Sequence, residues 1–128
     1  MKRILLAEDE EAVRKYLALL LEKNDYKVKA VDNGKKALEL IDASVNGLEE
    51  PFDLLITDIE MPLMDGFQVV EYVKNEIDSS IPIIVNTSMS NIGVVKKLED
   101  MGVNLFIPKT EPLKIYQAVK SFMEGTHV

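Results

Sequence analysis

Short apolar runs alternate along the chain with longer stretches in which apolar residues recur every three or four positions. The first run, Ile4, Leu5, Leu6 and Ala7, reads as a buried strand and stops at four consecutive acids, positions 8–11. Acids cannot continue a buried strand, but they suit a loop and a helix start, where the dipole favours negative charge. Val13, Leu17, Leu20 and Leu21 then share one helical face, which Asn24 and Asp25 end. Residues 26–31 alternate, Val28 and Ala30 against Lys27 and Lys29, which predicts an edge strand with one less buried face. After a turn at Asp32-Asn33-Gly34, Ala37, Leu38 and Ile41 stripe a second helix; residues 43–51 read as a surface loop without function. Residues 52–57 predict a third strand ending at Asp58, and Phe67, Val70, Val73 and Ile77 a third helix, broken at Asp78-Ser79-Ser80. Residues 81–85 predict a fourth strand, with Pro82 tolerable near its start, followed by Asn86-Thr87-Ser88. Ile92, Val95 and Leu98 mark a fourth helix with a pliable first turn at Gly93 and a cap at Gly102. Residues 103–107 predict a fifth strand, ending in Pro108-Lys109-Thr110, and Ile115, Tyr116, Val119, Phe122 and Met123 the face of a last helix.

Five strands alternating with five helices imply a parallel sheet covered on both faces, with right-handed crossovers. The 128 residues fit one domain, which at this size buries roughly two-thirds of its unfolded surface and needs no staple. There is no cysteine, which removes disulfides, thiolate catalysis and cysteine-based metal sites. The single histidine, His127, lies in a tail at 125–128 expected to be disordered, so a histidine-based triad or zinc site is not expected. The net charge of -7 argues against non-specific nucleic-acid binding, which needs Lys and Arg to displace counterions. Met1-Lys2-Arg3 before an apolar run looks like the start of a signal peptide, but the run ends after four residues at Glu8. No stretch approaches membrane-spanning length, so the expectation is a soluble cytoplasmic domain.

In such a sheet the carboxyl ends of all strands share one rim, where ligands and chemistry are found. Glu8 and Asp9 follow the first strand, Asp58 the third, Thr87 the fourth and Lys109 the fifth. Asp58 is the sharpest of these: an apolar run stops at it, and Met61-Pro62 and Asp65-Gly66 then constrain the loop. Each residue alone has an ordinary reading, as a dipole partner, a turn former or a solvated lysine. Their joint occurrence on one rim is much less expected by chance. Three converging carboxylates repel one another and call for a cation. A hard divalent ion fits, with Mg²⁺ preferred because it binds through few carboxylates and keeps several waters. Aspartate is a nucleophile toward phosphorus, forming an acyl phosphate. Mg²⁺, the Lys109 ammonium and a Thr87 hydroxyl with backbone N–H groups would then neutralise the phosphoryl oxygens.

With those residues in place, the sequence resembles the receiver domain of two-component response regulators, most of all the single-domain, chemotaxis type. The resemblance rests on Glu8-Asp9, on Asp58 within Thr-Asp-Ile-Glu-Met-Pro-Leu-Met-Asp-Gly at 57–66, and on Thr87, Phe106 and Lys109. It runs from about Lys2 to Met123. It implies a flavodoxin-like doubly wound (βα)5 fold with strand order 2-1-3-4-5, carried over from the family, and a receiver domain over residues 1–124. It further implies a bacterial phospho-acceptor module rather than an enzyme, one that catalyses only its own phosphorylation and dephosphorylation. Asp58 would accept the phosphoryl group from a sensor histidine kinase or phosphotransfer protein. Glu8, Asp9, Asp58 and the backbone carbonyl of Glu60 would hold Mg²⁺, and Lys109 would pair with the phosphate. Thr87 would move toward the phosphate with Phe106 turning inward behind it. The face of the fourth helix, fifth strand and fifth helix would then engage a protein partner differently, as a monomer or a phosphorylation-dependent dimer.

Some positions depart from the family pattern. The family has Lys-Pro with a cis bond, whereas here Lys109 precedes Thr110 and the proline is Pro108. Phe106 lacks the hydroxyl a tyrosine would offer, and Ser88 sets a second hydroxyl beside Thr87. Glu60 and Met89 lie where the family tunes phosphoryl lifetime. Competing readings are a receiver-like scaffold that is never phosphorylated and a receiver excised from a larger chemotaxis or regulatory protein. A haloacid-dehalogenase-type phosphatase would want aspartate two residues after the nucleophile, where Glu60 stands, and further motifs. A flavodoxin-like cofactor binder would want a phosphate loop where positions 8–11 are acidic.

Overall fold

The computed structural model describes residues 2–76, 81–88 and 91–124. The expectations for Ile77, the break at Asp78-Ser79-Ser80, Met89, His127 and the tail at 125–128 lie outside those residues. Strands and helices alternate as β1 (Arg3–Ala7), α1 (Glu11–Glu22), β2 (Lys27–Val31), α2 (Gly34–Val45), β3 (Leu54–Thr57), α3 (Gly66–Asn75), β4 (Ile83–Thr87), α4 (Ile92–Asp100), β5 (Leu105–Pro108) and α5 (Pro112–Glu124). All neighbouring strands pair in parallel, in the order β2-β1-β3-β4-β5. This is the doubly wound arrangement expected.

Side-chain alternation along each strand splits the core in two. Leu5 and Ala7 of β1, Leu55 of β3, and Ile83 and Val85 of β4 pack with α2, α3 and α4. Ile4 and Leu6 of β1, Leu54 and Ile56 of β3, Ile84 of β4 and Ile107 of β5 pack with α1 and α5. That is why β1, β3 and β4 read as unbroken apolar runs, since both faces of these strands are covered. Each fully buried Leu or Ile here contributes about 1.5–3 kcal/mol of transfer free energy. The edge strands differ. In β2, Lys27, Lys29 and Ala30 are exposed and Val28 is half-buried, and lysines on an edge discourage pairing with another chain.

Several element details depart from the pattern reading. β4 runs to Thr87, so Asn86 and Thr87 are strand residues, both buried, and only Ser88 is exposed. Pro108 belongs to β5, on an edge where its missing N–H is tolerated. In α4, Leu98 is buried as expected, but its buried companion is Val94, one position before the expected Val95, and Ile92 is exposed. Gly102 does end α4, with φ +78° and its N–H donating to the Glu99 carbonyl at 3.0 Å. The α2 helix extends to Val45, and the connection beyond it grips Arg3 through Glu49 at 2.6 Å.

Candidate functional site

The β3–α3 loop is shaped by two close approaches. A Cβ on Gly66 would lie 2.0 Å from the Asp58 carbonyl oxygen, and one on Gly34 would lie 2.0 Å from that of Met64. Only glycine permits either contact. The Gly66 N–H donates to the Ile59 carbonyl at 2.7 Å, folding the loop back on the strand end. Asp65 then caps α3 in a reciprocal box, its Oδ1 accepting from the Gln68 N–H at 2.9 Å while Gln68 Oε1 accepts from the Asp65 N–H at 3.0 Å. Between these anchors Leu63 is held at φ +69°, with the Met64 N–H donating to the Pro62 carbonyl at 2.8 Å. This is a tight γ-turn in a left-handed geometry that costs a non-glycine residue roughly 1–3 kcal/mol.

The loop presents Asp58 beside the ends of β1 and β5. Asp58 is buried, at 3% exposure, and Glu8 is buried at 1%. The Asp58 N–H donates to the Ala7 carbonyl at 2.9 Å, and Asp58 Oδ1 accepts from the Ile59 N–H at 2.7 Å. The Lys109 ammonium stands among three carboxylates: Asp58 Oδ2 at 2.8 Å, Glu8 Oε2 at 2.9 Å and Glu10 Oε1 at 2.5 Å. Glu8 Oε2 also accepts from the Glu10 N–H at 3.0 Å, and Arg14 Nη1 donates to the Glu8 carbonyl at 2.9 Å. Thr87 is fully buried at the end of β4, and its carbonyl accepts the Lys109 N–H at 3.2 Å. The Lys109–Thr110 bond is trans.

Electrostatics follow from this packing. Burial pushes the Glu8 carboxyl up to about 7, against the hydrogen bonds from Lys109 and the Glu10 backbone that favour its charged form. Burial alone would lower Lys109, but hydrogen bonds to Asp58, Glu10 and Glu8 hold its ammonium above the ordinary lysine range. One acceptor is left over: Glu8 Oε1 is buried with no hydrogen-bond partner among the described residues. Carboxylate oxygens of Glu8, Glu10 and Asp58 lie within 4.8 Å of one another. These carboxylate oxygens, one of them buried and unpartnered among the described residues, are a ligand set that could hold a hard divalent cation.

The structure therefore gathers Glu8, Asp58 and Lys109 as the sequence implied, with Thr87 linked to them through its backbone. Asp9 is exposed and stands outside the three-carboxylate group, where Glu10 is found instead. Glu60 is exposed in the loop after Asp58, and Phe106 is half-buried against the α2–α4 side of the core. Glu10 was legible only as one of four acids; nothing in its spacing announces the reach to Lys109. Asn86 is a further buried polar residue, with its carboxamide oxygen unpartnered among the described residues. It lines a cleft of about 230 Å³ with Tyr16 of α1, Lys109 and Pro112.

Comparisons with known proteins identify the family. The model of the response regulator receiver domain matches residues 4–120. The chain is 37% identical over 122 residues to the chemotaxis protein CheV1 of Helicobacter pylori, covering 94% of this chain but 38% of that protein. It is 43% identical over 94 residues to the response regulator receiver protein CpdR of Brucella abortus, covering 73% of this chain and 72% of that one. Among solved structures, the receiver domain of a signal transduction histidine kinase from Syntrophus aciditrophicus superposes with a TM-score of 0.84 at 28% identity, over 98% of this chain and 92% of that chain. Among the described residues no helix is long and apolar enough to cross a membrane. The chain belongs to the response regulator receiver domain family of two-component systems.

Proposed function

We propose that this domain is a phosphorylation-controlled interaction module in which Asp58 accepts a phosphoryl group from a sensor histidine kinase or phosphotransfer protein. The observation that carries the reading is the buried Asp58 carboxylate at the end of β3, paired with the Lys109 ammonium at 2.8 Å and next to the under-partnered Glu8. In the transfer, an Asp58 oxygen forms a bond to phosphorus as the phosphorus–nitrogen bond of the donor phosphohistidine breaks. The electron pair leaves with the imidazole. The Ile59 N–H holds Asp58 Oδ1, which orients the other carboxylate oxygen. Lys109 turns from the Asp58 carboxylate to a phosphoryl oxygen, and the Thr87 hydroxyl serves another. Glu8 and Asp58, with Asp9 and the Glu60 carbonyl at the same rim, would hold Mg²⁺. Bound there, Mg²⁺ supplies neutralisation of charge on a phosphoryl oxygen.

The product carries a new double negative charge on a rim where the Lys109 ammonium is already engaged by three carboxylates. Thr87 and Lys109 are joined through β4 and β5, so a shift at one is felt at the other. Phe106 sits one residue before Ile107 on β5 and follows that movement. The α4–β5–α5 face thereby changes the partner it favours, a population shift between two states. The chain spans 38% of the length of CheV1, so a receiver acting within a larger chemotaxis protein is a second form of the same reading. The test is intact mass after incubation with acetyl phosphate, with and without Mg²⁺. A Mg²⁺-dependent gain of one phosphoryl group is the expected result. No gain, with Mg²⁺ binding shown separately and beryllofluoride also failing to bind, would make the domain a receiver-like scaffold.

A further inference from the structure

Glu10 stands at the N-cap of α1 yet caps nothing. Its backbone is extended, with φ -76° and ψ 113°, and its side chain makes no hydrogen bond to the first turn. N-cap positions favour Ser, Thr, Asp and Asn, whose short side chains reach the free N–H groups of the helix. The Glu10 carboxylate instead crosses the rim to Lys109 Nζ, one of that ammonium's three carboxylate partners. Of the three carboxylates it alone faces solvent: its side chain is 57% exposed, against 1% for Glu8 and 3% for Asp58. A phosphodonor arriving from solvent thus meets a negative charge seated on the cation its phosphoryl oxygens need.

We propose that Glu10 is a specificity-determining residue for phosphoryl transfer to Asp58, whose carboxylate occupies Lys109 before transfer and disfavours small, highly charged phosphodonors. The inference rests on Asp58 being the acceptor. In each transfer an Asp58 oxygen bonds to phosphorus, and the bond from phosphorus to the leaving group breaks. Acetyl phosphate releases acetate with the electron pair; phosphoramidate, its nitrogen already protonated, releases ammonia. Either way Lys109 must pass from Glu10 to the phosphoryl oxygens. The field of Glu10 opposes a dianion more than a monoanion. A phosphohistidine protein can offset that cost with binding energy from its own surface, which a small donor lacks.

The experiment compares wild type with Glu10→Gln at saturating Mg²⁺. Initial rates of phosphoryl gain are read by intact mass with acetyl phosphate, a dianion near neutral pH, and phosphoramidate, a net monoanion. Glu10→Gln keeps the size of the side chain and removes its charge. The expected result is a rate increase of about threefold to tenfold with acetyl phosphate, from removal of one nearby like charge, and a smaller one with phosphoramidate. Raising the ionic strength should shrink the difference. Because the side chain caps no helix, the denaturation midpoint should be nearly unchanged, and Glu10→Ala should reproduce the donor preference. Unchanged rates, a slower variant, or equal factors with both donors would overturn the inference while leaving Asp58 as acceptor. A wild-type protein that takes no phosphoryl group from either donor would remove the acceptor assignment, and this inference with it.

Discussion

Two clusters in this molecule have nearly the same composition and opposite character. At the start of β1, Arg3 is gripped by acids and an aromatic ring. Its guanidinium pairs with Glu49 at 2.6 Å, its N–H donates to Asp53 Oδ2 at 2.8 Å, and its side chain lies over Phe52 at 4.4 Å. At the other end of the sheet, Lys109 is gripped by Glu8, Glu10 and Asp58. The first cluster ties the α2–β3 connection to the amino-terminal end of β1. Its backbone is ordinary, and its pairs are satisfied by a planar fork over a ring. The second keeps two carboxylates buried, leaves Glu8 Oε1 unpartnered among the described residues, and lies beside a loop held in a left-handed turn at Leu63. One cation among acids can therefore sit in two different settings. Burial without full satisfaction, next to stored strain, separates the two.

The largest way to break the contrast is Lys109→Ala. Two buried carboxylates would lose their cation, and metal-free stability should fall by about 3–5 kcal/mol in urea unfolding. Added Mg²⁺ should restore part of that loss, and any phosphorylated form should fail to switch its partner. Gly66→Ala comes next. Its Cβ would press on the Asp58 carbonyl at 2.0 Å, so we expect roughly 2–4 kcal/mol of destabilisation together with slower phosphoryl uptake. Recovery of stability without recovery of uptake, in a stabilised background, would assign the glycine to positioning Asp58.

The pH dependence comes third. The Glu8 carboxyl is raised from 4.5 to about 7, so the folded protein binds this proton more tightly than the unfolded chain. The resulting stability is fully present below about 4.5 and is lost as pH rises through about 7. The slope is at most about 1.4 kcal/mol per pH unit in metal-free protein. Divalent-cation affinity should climb through the same window, because binding displaces the proton. Glu8→Gln should flatten both trends; an unchanged profile would move the titration to another group. Smallest is Arg3→Met at the opposite end. It should cost about 1 kcal/mol, read by urea midpoint, and leave phosphoryl uptake unaltered.

Much of this was readable from the residues. Strands covered on both faces appear as unbroken apolar runs, so β1, β3 and β4 announced themselves, and the acids, hydroxyl and lysine that stop those runs fell on one rim. Lateral reach was not readable. Glu10 looked like dipole compensation because periodicity assigns a residue to a face but says nothing of where a long side chain leans. Arg3 looked like a basic lead-in because its partners, Glu49 and Asp53, come from a loop distant in sequence. The stripe of α4 was placed correctly at Leu98 but misplaced at Ile92 and Val95, because its apolar residues admit two registers and only packing against the sheet selects Val94. The Asp65-x-x-Gln68 capping box was legible in principle, but Asp-Gly masked it as a simple turn.

If Asp58 in the buried cluster at the carboxyl rim is the acceptor, no other acid should receive the phosphoryl group. Borohydride reduction of acetyl-phosphate-treated protein converts an aspartyl phosphate to homoserine, which peptide mass spectrometry locates. The expected result is homoserine at position 58 in wild type, dependent on Mg²⁺, and none in Asp58→Asn. Homoserine at another position, or undiminished modification in Asp58→Asn, would contradict it.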